Sequence, residues 1–218
     1  MADLPFRLPE PMALRLRTAA DAEGKIVRAI DALGSLAGRD VATIDVPAGP
    51  LRERFAAAGI DARDLPLVEP LRFDLPDASL DGLIAMWGGF DGVHDPDLAE
   101  ADRVLRPGGR LLVVHDYGRD DVSALVDADR PEYATWGRRG GPFLRGDRFK
   151  IRVVHAFWTF PSIEEARDLL AEAFGARGVA VGEGLRRPRL SWNVAVYHRW
   201  RGGVAPAGAV EPGGPDPS

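Results

Sequence analysis

The sequence predicts an open, mostly parallel α/β sheet with helices on both of its faces. Stretches patterned like strands alternate along the chain with stretches of helical spacing, the order that crossover connections produce. Two of the strand-like runs, "LDGLIAMW" (80–87) and "RLLVVHDY" (110–117), are apolar at most positions, as strands covered on both faces must be. The chain has 218 residues, 45% hydrophobic and 28% charged, which suits one substantial domain and is too little for two comfortable ones.

The elements follow in order. The proline-rich first dozen residues read as an irregular arm. From Ala20 to Leu36, Ile26, Val27, Ile30, Leu33 and Leu36 recur at helical spacing. "VATIDV" (41–46) is a short apolar strand, and "LRERFAAAGI" (51–60) a helix ended by Gly59. After the 80–87 strand, "PDLAEADRVL" (96–105) places Leu98, Ala101, Val104 and Leu105 on one side of a helix that "RPGG" stops. The strand at 110–117 leads into residues 118–150, which are rich in Arg, Asp and Gly. They show no clear period and are expected to lie as a loop or short helices over one end of the sheet. "KIRVVHAFWTF" (150–160) reads as a strand with His155, Phe157 and Trp158 in the core. "SIEEARDLLAEAFG" (162–175) is a helix with Ser162 and Glu165 as its capping box. "LSWNVAVYHRW" (190–200) is the last strand. A single domain over 1–201 and a disordered low-complexity tail over 202–218 complete the expectation.

Composition narrows the function classes. A net charge of -5 opposes nucleic acid as the main partner, because a phosphate-binding surface needs concentrated Lys and Arg. With no cysteine, thiolate nucleophiles, disulfides and Cys-ligated metals are excluded. No His, Asp and Glu spacing suggests a metal site, and no Ser–His–Asp arrangement is legible. Neither a signal peptide nor a transmembrane run is apparent, so a cytoplasmic protein without a membrane partner is expected.

The stretch "FDLPDASLDGLIAMWGGFDGVHDPDLAEADRVLRPGGRLLVVHDYG" (73–118) resembles the class I S-adenosylmethionine-dependent methyltransferases of the small-molecule type called methyltransferase type 11. "LPDASLD" is similar to the turn before that family's fourth strand, "LIAMW" to the strand, and "VHDPDLAEADRVLRPGGRLLVV" to the following helix, turn and fifth strand. "FPSIEEARDLLAEAFG" resembles the penultimate helix and "NVAVYHR" the antiparallel last strand. The resemblance implies a Rossmann-like sheet, S-adenosylmethionine as cofactor and a small-molecule substrate.

The family's first strand ends in an acidic residue followed by closely spaced glycines, which let backbone approach the cofactor. Here "DVPAGP" keeps Asp45 but only Gly49. Two alignments fit. In one, 41–46 is the first strand with a degenerate loop, and the stretch between Asp45 and Glu69 is too short for the usual second unit. In the other, 41–46 is the second strand, Asp45 binds the ribose, and "MALRLR" must serve as the first strand.

The resemblance assigns cofactor contacts to Asp45, Gly49, Glu69, Met86 and Trp87, with Glu69 near the adenine amino group. Three have a plainer reading: Asp45 as a helix cap, Glu69 as a surface residue, Trp87 as packing. His115, ahead of His94, is the candidate general base, since a neutral imidazole can take a proton from a hydroxyl nucleophile. Neighbours in a strand face opposite ways, so His115 and Asp116 need not touch. Arg138, Arg139 or Arg148 could recognise an anionic group beside Tyr133, Trp136 and Phe143. A second reading is a non-catalytic protein of the same fold, whose cofactor cleft is filled by side chains and covered by a homodimer surface.

Overall fold

The computed structural model describes residues 8–46, 48–125 and 135–203. Pro47, Tyr133 and the tail from 204 onward lie outside the described residues. The chain enters through α1 (Glu10–Ala19) and α2 (Lys25–Ala32). Next come β1 (Val41–Ile44), α3 (Pro50–Ala57), β2 (Ala62–Leu65), β3 (Leu80–Met86), α4 (Asp95–Val104) and β4 (Leu105–Asp116). It closes with β5 (Lys150–Thr159), α5 (Ile163–Gly184) and β6 (Arg189–Trp200).

The strands form one six-stranded sheet in the order β2-β1-β3-β4-β6-β5. β1 is parallel to both β2 and β3, and β3 to β4. β6 runs antiparallel between β4 and β5. The chain moves outward from β1 to β2, then returns to the other side of β1, so the topological switch point lies between β1 and β3.

This order decides between the two alignments. Residues 10–19, which include "MALRLR", are helical, and β1 stands next to the switch point with only one strand outside it. The 41–46 stretch is therefore the first strand, and the unit after it is shortened to α3 and the four-residue β2. The proline-rich start is correspondingly shorter than expected. Pro11 sits in the first turn of α1, where a backbone N–H has no intrahelical acceptor and its loss costs nothing.

Each face of the sheet carries its own apolar layer. Val41, Ile84, Met86, Leu112, Val114 and Trp192 pack with α1, α2, Phe55 of α3 and the start of α5. Ile44, Leu83, Ala85, Leu111, Val113 and Tyr197 pack with Leu98, Ala101 and Val104 of α4. The second layer also takes Trp136, Phe143 and Phe149, so residues 135–149 cover a face of the sheet, while residues 120–122 lie at its end and bond to Ser191 and Asn193 at the start of β6. The central strands are buried along most of their length, which is why they read as unbroken apolar runs.

Two helices hold details that matter later. Ser162 accepts from the N–H of Glu165 at 3.0 Å, the expected cap of α5. The backbone breaks at Gly175 (φ 56, ψ -133), and the remainder of the element folds against the first part. A Cβ on Gly178 would stand 1.8 Å from the carbonyl oxygen of Leu170. In β5, an edge strand, Trp158 is core as expected, but His155 is exposed and its Nδ1 lies 2.7 Å from Asn193 Oδ1.

Candidate functional site

In open α/β sheets ligands sit beyond the carboxyl ends of the strands near the switch point. Here that places them beyond Ile44 and Met86. Backbone strain concentrates in this region. Asp45 (φ 51) and Trp87 (φ 50) both leave their strands in the left-handed region, and Phe90 (φ 58) and Val93 (φ 59) follow in the loop after β3. Such conformations are costly for residues bearing a Cβ and mark places where the chain is held for a purpose other than stability.

A cleft of about 560 Å³ opens beyond β2 and β3, between residues 67–71 and 89–97. Its apolar walls are Leu67, Leu71 and Phe90, and Glu69, Asp91 and His94 supply polar groups. The size is that of a small-molecule or cofactor site, for which ~300–1,000 Å³ is typical. One wall is fixed from below by α4. Asp97 Oδ1 accepts from the N–H of Leu71 at 3.2 Å, and Glu100 Oε1 from that of Phe73 at 2.8 Å. Arg103 donates to both oxygens of buried Glu100 and to the carbonyls of Phe73 and Leu75. With Arg103 first among its causes, and against the opposing effect of burial, the Glu100 carboxyl is held down at about 2.

The other expected location is tighter. Beside Met86 and Trp87 the described residues enclose a cavity of about 20 Å³, lined by Arg17, Asp21, Leu51, Arg54 and Trp192 among others. That is room for about one water molecule. Trp87 stacks on Trp192 with centroids 5.1 Å apart and planes at 14°, and Trp192 meets Trp158 edge-on at 5.9 Å. Asp21 accepts from the N–H groups of Lys25 and Ile26 at 2.8 and 2.9 Å and so caps α2. Burial pushes its carboxyl up despite those bonds and despite Arg54 and Arg28 nearby.

The expected site residues therefore divide. Glu69 and His94 share the open cleft, while Met86 and Trp87 line the tighter space. Asp45 is half-buried where β1 ends, its N–H donating to Leu65 O at 2.8 Å. Gly49 is the N-cap of α3 with φ 140 and ψ -161, a region that only glycine occupies readily. His115 is fully buried, edge-on to Trp136 at 4.6 Å, and its Nε2 lies 3.8 Å from Asp91 Oδ1. It does not line the cleft, whereas Asp91 does. Asp116 turns to the opposite face, where it accepts from Trp192 Nε1 at 2.8 Å. Arg148 pairs with Asp95 at 3.2 Å.

Sequence reasoning missed Asp91, Asp97 and Phe90 as cleft residues. The available signal was the run "GGFDG" (88–92) after β3. Glycines that the loop after β1 lacks are present in the loop after β3, and Gly89 and Gly92 both have φ 77.

No family model matches the chain, and no curated protein matches it. Among solved structures, a candidate type II methyltransferase from Anaeromyxobacter dehalogenans is similar at 18% identity and TM-score 0.46, over 80% of this chain and 94% of that one. The candidate methyltransferase bound to the Trm112 methyltransferase activator of Haloferax volcanii gives 18% identity and TM-score 0.46, over 79% and 88%. An S-adenosylmethionine-dependent methyltransferase from Thermotoga maritima gives 15% and 0.43, over 88% and 94%. At these scores and identities the likenesses fix neither cofactor nor substrate. The α/β class rests on strand order and on the two covered faces. No helix of the described residues is long and apolar enough to cross a membrane, and none of their His, Asp and Glu groups could hold a metal ion.

Proposed function

We propose that the protein is an S-adenosylmethionine-dependent methyltransferase-like enzyme acting on a small molecule. The single observation that carries this reading is the cleft of about 560 Å³ beside the switch point. The resemblance of residues 73–118 to the methyltransferases supports it. The cleft's dimensions and its mixed lining fit the nucleoside part of the cofactor, with Leu67, Leu71 and Phe90 against the base and Glu69 accepting from the adenine amino group. Bound there, the cofactor would supply an activated methyl group. The protein's contribution is to hold an acceptor in line and exclude water, so proximity does most of the catalysis. In this reading His94, exposed on the cleft wall, receives a proton from the acceptor, and His115 lies buried behind that wall with its Nε2 3.8 Å from Asp91 Oδ1.

Isothermal titration of the full chain with S-adenosylhomocysteine tests this. Saturable binding is expected, weakened about tenfold in Glu69→Ala through loss of a charged acceptor. Absence of saturable binding would overturn it.

The tighter space beside Met86 and Trp87 favours a second reading, a methyltransferase-like fold that does not hold the cofactor. On that reading the titration is flat, and a homodimer surface over the strand ends is expected by sedimentation.

A further inference from the structure

The same edge of the sheet carries another cavity, of about 440 Å³, where β6 begins and β5 ends. Val181 and Leu185 from the end of α5 give it an apolar wall, with Phe157 of β5 opposite. Arg186 and Arg187 of the α5–β6 turn and Arg189 at the start of β6 line it as well. The Arg189 guanidinium lies over the Phe157 ring at 4.4 Å. Arg186 and Arg187 are exposed, and among the described residues no ion pair or hydrogen bond engages either side chain.

Cations just beyond a helix end often serve to neutralise its last carbonyls. Here the Gly182 carbonyl already accepts from Arg167 Nε at 3.0 Å and from the Leu185 N–H at 3.2 Å. Among the described residues one acidic group, Asp121, also lines the cavity. Its Oδ2 accepts from the N–H and hydroxyl of Ser191 at 2.8 and 2.7 Å, so it is turned toward β6. Three guanidinium groups against one engaged carboxylate leave the cavity with a surplus of positive charge in a protein whose net charge is -5.

We propose that this cavity binds a small organic oxyanion, a carboxylate or phosphate ester carried on an apolar body. Arg186 and Arg187 hold the oxyanion through their planar forks, which suit two-oxygen heads, and Val181 and Leu185 receive the apolar part. The volume lies within the ~300–1,000 Å³ range of small-molecule sites. This site lies apart from Arg138, Arg139 and Arg148, of which Arg148 is paired with Asp95 at 3.2 Å. The inference goes beyond the methyl-transfer reading, because the site needs no cofactor and stands whether or not the open cleft binds one.

The test is calorimetric titration of the full chain with phenyl phosphate and with phenylacetate, using benzyl alcohol as the uncharged comparison. At least one anion is expected to saturate, and which one does identifies the head group. The doubly substituted Arg186→Gln, Arg187→Gln protein is expected to bind at least about tenfold more weakly. Both side chains are exposed, so its melting curve should match the parent's and loss of binding would not reflect unfolding. Amide shifts on binding are expected at Leu185 and Ser191. The proposal is overturned if neither anion saturates, if the double variant binds equally well, if benzyl alcohol binds as tightly, or if the shifts fall elsewhere.

Discussion

Gly49 shows how much one backbone angle explains. The turn "VPAGP" looked impoverished beside a glycine-rich cofactor loop, yet its one glycine stands in a conformation closed to other residues. A Cβ there would meet nothing within 4 Å, so conformation alone requires glycine. Gly49→Ala is expected to cost about 1–3 kcal/mol in chemical denaturation, the range for a residue forced into a sparsely populated region. An unchanged midpoint would show that the turn relaxes freely. His115 marks the limit of reading at this scale. Strand parity predicts that it and Asp116 face apart, and they do. What parity cannot give is depth: Trp136 and Phe143, which enclose His115, come from a segment with no period to read.

The strongly periodic elements were legible, and the short or broken ones were not. The cap of α5 was readable because Ser162 and Glu165 stand at the required spacing. Its second half was not, since Gly175 reads as a terminator and "ARGVAVGEG" carries three more glycines. β2 escaped notice because four residues are too few to establish alternation. The doubling-back of α5 depends on close backbone approach at Gly178. Gly178→Ala is therefore expected to lower stability by about 1–3 kcal/mol, the usual effect of overpacking, as measured by thermal melting. A variant as stable as the parent would mean that the two halves separate easily. Because Val181 and Leu185 lie beyond the break, the same substitution should also weaken oxyanion binding.

At the scale of the whole molecule, the α/β class and the two covered faces followed from the pattern of apolar runs, whereas the strand order did not, because two alignments of 41–46 fitted the sequence. The cleft did not, because it is assembled from loops that local patterning leaves undefined. Its stability is expected to depend on pH through Glu100. That carboxyl is depressed from 4.5 to about 2 in the folded protein, so its contribution is present above about 4.5 and disappears as pH falls toward 2. The stability gap between the parent and Glu100→Gln should shrink over that window in acid-titrated melting curves. A gap constant down to pH 2 would show that the carboxylate carries no such linkage. The shortened unit after β1 has a further result, for how copies of the chain meet. An open sheet has two bare borders, and each invites strands from neighbouring molecules. At one border the N–H of Asp21 donates to Phe157 O at 2.9 Å and Ala20 bridges Trp158, so part of β5 is occupied by the chain's own entry segment. At the other, β2 is four residues long with charged, exposed Arg63 and Asp64 in its middle, and Asp64 Oδ1 accepts from Thr43 Oγ1 and the Val46 N–H at 3.0 and 2.9 Å. This border falls on a segment too short and too charged to nucleate aggregation.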